Sequence, residues 1–245
     1  MHRAKSPRQT KVELHMRQCI FWKILWEEKS YILQAAKTPS KEAENVYYTH
    51  VVRSCKEVLL PTFCDFTSKN GFVWTLLESF SLGNRKDFKS RSFLQDYSVN
   101  ETSFKWNKFR LSMPIMNWTL SYSTHFRATC NFNTDGLVTT DYLRAKTANL
   151  NNLQLISNLC VKMEYINIRG YDCYNCTALM IQRINWHLHN DSYYEAKSCQ
   201  FTSAGNGPNA SPSGEDNFGE QYVINPLHRC TSANHATTQW WFGEH

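Results

Sequence analysis

Phe72-Val73-Trp74-Thr75-Leu76-Leu77 is apolar on both faces, with a β-branched residue and a large ring at its centre. A strand covered on one face alternates apolar and polar; a run without alternation predicts a central strand covered on both faces. Fifty residues on, Phe126-Arg-Ala-Thr-Cys-Asn-Phe132 alternates. Its period of two predicts a strand with Phe126, Ala128, Cys130 and Phe132 inward and Arg127, Thr129 and Asn131 outward. Glu164–Ile168 is a further β-branched run. Trp186-His-Leu-His189 alternates too, placing Trp186 and Leu188 on one face and His187 and His189 on the other. Asp141–Asn152 is ambiguous: a short helix opening over Asp141–Lys146 with Asp141 as N-cap is one reading, with Leu150, Leu153 and Leu155 as packing residues after it. Short apolar runs between turn residues predict a strand-rich body. Residues 203–214 hold three glycines and two prolines, which makes them the clearest loop.

The first fifty residues read differently. They carry nine Lys/Arg against five Asp/Glu, while the remaining 195 carry eighteen against sixteen. A nucleic-acid binder concentrates positive charge on its working surface, so a near-neutral body argues against nucleic acid as a partner. Residues 1–17 hold five Lys/Arg, but the apolar run that follows, Cys19–Trp26, is eight residues long and contains Lys23. That is a poor secretory leader, and no stretch approaches the ~20 apolar residues of a spanning helix. Residues 1–50 are therefore expected to be an extension, either not the native start or a weak signal or anchor; a helix over Lys11–Lys37 is the alternative. The domain is expected over residues 51–245.

Nine cysteines stand at Cys19, Cys55, Cys64, Cys130, Cys160, Cys173, Cys176, Cys199 and Cys230. The even set of eight in the body suits disulfides formed in an oxidising compartment, although spacing does not give connectivity. Buried free thiols in a cytosolic protein are the alternative. Asn-x-Ser/Thr acceptors stand at Asn100, Asn117, Asn190 and Asn209; a fifth, Asn175, contains Cys176, whose oxidation would compete with glycan addition. Cys173-x-x-Cys176 with His187 and His189 can be drawn as a zinc site, but structural zinc places three to five residues between its histidines. A thioredoxin-like reading of the same motif needs a helix at Thr177–Gln182. No nucleophile elbow, phosphate loop, dinucleotide fingerprint or zincin motif is present, so no enzyme is expected.

Ser54-Cys55, Cys64-Asp65-Phe66, Gly71-Phe-Val-Trp74-Thr75, Asp87-Phe88, the aromatic region Trp106–Met116, Glu215-Asp216-Asn217-Phe218-Gly219, Arg229-Cys230 and Trp240-Trp241-Phe242 together resemble the fibrinogen C-terminal domain family. The resemblance spans about half of the domain. It implies an α+β fold, with a twisted antiparallel sheet and long disulfide-held loops. It also implies a Cys55–Cys64 bridge, Ca²⁺ held by Glu215, Asp216 and Asn217, and ligand contacts at Trp240, Trp241 and Phe242. The sequence departs from the family in keeping only Gly71 of the glycine cluster, and in leaving eight residues between Cys55 and Cys64. It also stops at His245 before the family's last cysteine, so the domain is expected to be C-terminally truncated, with Cys230 pairing elsewhere or free. The expected function is secreted, lectin-like recognition of glycans or acetylated groups. The alternative is adhesion through contacts with extracellular proteins. Neither reading requires a membrane span, and both are compatible with an oligomer.

Overall fold

The computed structural model describes residues 46–53, 56–154, 157–191, 199–201, 217–219 and 224–245. The expected N-terminal helix, the 203–214 loop, Leu155, Cys19, Cys55 and Asn209 lie outside the described residues. The elements are β1 (Val46–Arg53), β2 (Lys56–Asp65), β3 (Val73–Ser81), β4 (Lys108–Arg110), α1 (Met113–Leu120), β5 (His125–Cys130), α2 (Phe132–Asp135), β6 (Tyr142–Lys146), β7 (Ser157–Ile168), β8 (Tyr171–Tyr174), β9 (Thr177–Arg183), β10 (Trp186–Asn190) and β11 (Thr237–Glu244). The strands form one antiparallel sheet in the order β1-β2-β3-β11-β5-β6-β7-β9-β10, with β4 paired to β3 and β8 to β7. Among the described residues the first strand is β1, from Val46. Among the described residues no helix is long and apolar enough to cross a membrane.

The apolar run at Phe72–Leu77 becomes β3, and β11 inserts between it and β5. Three features of sequence dictate this centre. β3 is buried along its length after Val73, which only a strand without a polar face tolerates. β11 alternates Trp240 and Trp241 to opposite faces. Trp241 packs with Phe63, Trp106 and Phe132 at ring separations of 4.8 to 6.5 Å. Trp240 packs with Phe93, His187 and Phe218 at 5.9 to 6.4 Å. Each indole N–H is satisfied, Trp240 by the Phe218 carbonyl at 3.0 Å and Trp241 by the Thr129 hydroxyl at 2.9 Å. Finally, Gly243 lies under the Trp74 ring, where a Cβ would stand 2.4 Å from Trp74 Cε3. Only glycine lets the indole lie across the backbone so closely.

Both sheet faces are therefore covered, and three sequence expectations change. Arg127 and Thr129 are not open to solvent; all of β5 is buried, because Phe63 of β2, Trp106 of the loop before β4 and Phe132 of α2 converge on the second face. Asp141–Lys146 is not a helix. Tyr142–Lys146 is strand β6, and Asp141 instead accepts hydrogen bonds from the backbone N–H groups of Arg169 at 2.6 Å and Arg229 at 2.8 Å. Asp141 has a φ of 53°, a left-handed conformation that short polar residues adopt more readily than most. In β10 a register shift between Trp186 and His189 separates the two residues expected on one face, leaving Trp186 exposed and Leu188 buried.

Three disulfides link described residues: Cys130–Cys230, Cys160–Cys199 and Cys173–Cys176. Cys230, for which the resemblance offered no partner, ties the turn before β11 to the end of β5 across 100 residues of sequence. A cross-link of that span stabilises by about 4–5 kcal/mol through the unfolded chain's lost freedom. Cys64 is also disulfide-bonded; the implied partner, Cys55, lies outside the described residues. Cys173 and Cys176 pair with each other, and the helix that a thioredoxin-like motif needs is replaced by β9.

Candidate functional site

Two buried ionic groups hold the covers on the sheet. On one face Glu78 of β3 accepts from Arg110 of β4 at 3.0 Å and lies 2.5 Å from His187 Nε2 of β10. None of the three is exposed. Arg110 also donates to the carbonyls of Arg91 at 2.8 Å, Ser92 at 2.6 Å and Gln95 at 3.2 Å, pinning that segment over Trp240. On the other face Arg127 donates to Asp65 at 2.8 Å, and its guanidinium lies 4.4 Å from the Trp74 ring and 4.6 Å from that of Trp241. Burial alone would raise the Asp65 carboxyl; the Arg127 charge and the Ser68 hydrogen bonds outweigh it and hold it below its ordinary value. Fully enclosed pairs of this kind organise a core, and no ligand reaches them.

A third group opens to solvent at the end of the sheet where β3 starts and β5 starts. The β6–β7 register pairs Arg144 with Tyr165 and Ala145 with Met163, so Glu164 is the extra residue of a bulge. At that point β7 also changes partner from β9 to β8. Bulges re-aim side chains, and here the Glu164 carboxylate turns toward β5. It accepts from Arg144 Nε at 2.8 Å and lies 3.2 Å from His125 Nε2. His125 Nδ1 is 2.8 Å from the hydroxyl of Thr124, which is exposed. The Phe72 ring packs edge-on to His125 at 5.1 Å, lies 5.3 Å from the Arg144 guanidinium and contacts the exposed His245 ring at 4.5 Å.

Burial pushes the His125 imidazole below its ordinary value despite Glu164. The ring is neutral near pH 7, with its proton on Nε2 toward Glu164 and Nδ1 accepting from Thr124. Burial pulls the Glu164 carboxyl upward, but the Arg144 and His125 interactions outweigh it and hold the carboxyl low. What meets solvent here is thus a fixed carboxylate, a guanidinium and an exposed hydroxyl, set over the buried rings of Phe72 and His125. Such a set can hydrogen-bond a polyhydroxyl or amide ligand.

The sequence-predicted site residues lie elsewhere. Trp240, Trp241 and Phe242 are all 0% exposed, so they are core and not a stacking platform; β11 is the middle of a sheet covered on both faces. Asn190 is also 0% exposed and donates to the Leu179 carbonyl at 2.8 Å, so it is not a glycan acceptor in this fold. Asn117 on α1 is exposed, and Asn100 is half-buried with its amide on the Lys108 carbonyl at 2.7 Å. Glu215 and Asp216 lie outside the described residues. Asn217 exchanges backbone hydrogen bonds with Asn190 at 2.8 and 3.0 Å and turns its amide nitrogen toward Asn190 Oδ1 at 3.5 Å. Asn217 is thus tied by a backbone β-bridge to Asn190; the other two residues of the expected Ca²⁺ site lie outside the described residues. His187 and His189 join no metal-ligand group with Cys173 and Cys176. Glu164 and His125 were missed because 39 residues separate them in sequence and a bulge leaves no pattern.

No family model, curated protein or solved structure matches this chain.

Proposed function

We propose that this chain is an extracellular, disulfide-held recognition module of fibrinogen-like type that binds glycans or acetylated groups and catalyses nothing. The observation that carries the extracellular part is that every described cysteine is in a disulfide, which matches an oxidising compartment. The ligand surface in this reading is Thr124, Arg144 and Glu164, supported from below by the buried His125 and Phe72, and not the buried aromatic strand. His125, Arg144 and Glu164 sit on strands β5, β6 and β7, so this part of the group is preformed and rigid, as recognition surfaces on a stable scaffold are. Calcium is not needed for the surface. An array of immobilised glycans, probed with the secreted chain with and without a chelator, tests the reading. Binding to N-acetylated or acidic sugars, competed by the free sugar and lost in His125→Ala, is expected. An array with no signal above a denatured control refutes it.

A second reading, adhesion through protein contacts, is favoured by one observation. Ile184 and Trp186 at the β9–β10 turn are 59% and 44% exposed, and Tyr174 of β8 is 67% exposed. Aromatic side chains are enriched at protein interfaces. Capture by purified matrix chains that free sugars do not compete, and that Trp186→Ala removes, would select this reading over the first.

A further inference from the structure

The Cys130–Cys230 bridge has companions that the other two disulfides lack. The sulfurs of Cys130 and Cys230 and a ring nitrogen of His228 all lie within 4.8 Å of one another, and this is the one group of metal-ligating side chains so placed among the described residues. Asp141 is not one of that group of three but lies beside it, with Oδ1 at 3.8 Å from His228 Nε2. All four residues are buried, none more than 2% exposed. They come from separate parts of the chain: the end of β5, the residue before β6, and the turn Arg229–Thr231 with His228 as its N-cap. Asp141 is fixed in this position by the backbone N–H groups of Arg169 and Arg229, one on each carboxylate oxygen.

We infer that the reduced chain binds one zinc ion at Cys130, Cys230, His228 and Asp141, replacing the disulfide as the tie between β5 and the turn that precedes β11. Thiolate, imidazole and carboxylate are each zinc donors, and two thiolates with an imidazole supply three of the four positions of a tetrahedral site, which leaves the Asp141 carboxylate to swing in as the fourth. Around zinc the two sulfurs stand about 3.7 Å apart, at Zn–S bonds of about 2.3 Å. Two cysteines with Cα atoms 4.6 Å apart reach that separation by rotating their side chains. The step balances as a two-electron, two-proton reduction of the Cys130–Cys230 bond by a dithiol, which is itself oxidised to a disulfide. Zinc then displaces the two thiol protons. The disulfide and the zinc site exclude each other, because the same sulfurs serve both. The consequence is a body that keeps its β5-to-turn tie in either redox state, through a covalent bond when oxidised and through a metal when reduced. This inference is independent of the ligand assigned to the His125–Glu164 surface.

Cobalt(II) added to the full chain, with and without prior reduction by a phosphine under anaerobic conditions, tests it. The reduced chain is expected to take up one cobalt with a thiolate charge-transfer band and tetrahedral visible bands, to release it to zinc, and to melt at higher temperature with zinc than with chelator. The oxidised chain is expected to show no such band. The Cys173→Ser/Cys176→Ser double variant removes the other closely spaced thiol pair and should retain the site. Cys130→Ser should abolish the band. His228→Asn, checked for folding in its oxidised form, should weaken zinc binding by more than about tenfold, the range over which even supporting residues act on a metal. The inference is overturned if the band survives Cys130→Ser, disappears in Cys173→Ser/Cys176→Ser, or is equally strong in the oxidised chain. It is also overturned if the reduced chain unfolds and zinc does not restore it.

Discussion

Arg127 donates to Asp65 at 2.8 Å with neither side chain more than 3% exposed, and two tryptophan rings close over the guanidinium. The pair sits at the middle of a sheet in place of hydrophobic side chains. Its value depends on both members being present, because either one alone is a buried charge without its counterion. Asp65→Ala is expected to destabilise the fold by about 3–5 kcal/mol. Replacing both residues by leucine should recover most of that loss. Denaturant melts of the single and double variants measure it, and a double variant as unstable as Asp65→Ala would show that the pair does more than satisfy itself.

The sequence made the strands legible and their covers illegible. β3, β5 and β7 follow from the unbroken apolar run at Phe72, the alternation at Phe126 and the β-branched run at Glu164, because each of these signals is local. What packs over a strand is not local. Arg127 reads as solvent-facing until Phe63, Trp106 and Phe132 are seen to converge on it from as far as 64 residues upstream. Large rings read as core more readily than as surface, and only the family resemblance put Trp240, Trp241 and Phe242 at a ligand; the sheet buries all three. Asp141 reads as a helix cap because a carboxylate before a turn serves backbone N–H groups anywhere; here they belong to Arg169 and Arg229, 28 and 88 residues away. The Thr124–His125–Glu164 group was invisible because it depends on a bulge and on the β6–β7 register.

His189 contributes a pH dependence to the fold, in the same direction as His125. Its ring is buried, and its Nδ1 lies 2.7 Å from the His187 carbonyl. Burial pushes the imidazole from about 6.5 down to about 4. Between those values the unfolded chain binds a proton that the folded chain does not. Stability is therefore full above pH 6.5, and falls as pH drops toward 4. The loss should amount to about 3 kcal/mol, at about 1.4 kcal/mol for each pH unit separating the two states. Urea melts from pH 7.5 to 4 should show the midpoint declining, and His189→Gln should flatten that decline.

Asn117 and Asn190 predict opposite results from one experiment. The first is exposed on α1; the second is enclosed, with its amide on Leu179 and its backbone bridged to Asn217. A glycan on Asn190 would have to open the β10 edge. Peptide mapping of the secreted chain after enzymatic removal of N-glycans should find the mass change of deamidation at Asn117 and none at Asn190. Occupancy at Asn190 would mean that this edge packs differently.

Glu164 distinguishes a binding surface from a structural ion pair. Its carboxylate is 24% exposed, so solvent screens much of its attraction to Arg144 and His125. Glu164→Gln keeps the shape and removes the charge, and its effect on stability should stay within about 1 kcal/mol. If the group holds a ligand, the same substitution should weaken binding at least tenfold, because the carboxylate both accepts from the ligand and sets the tautomer of His125. Binding isotherms and denaturant melts on the same preparation separate the two effects. A variant that loses stability and keeps its ligand would reassign Glu164 to the framework of the sheet.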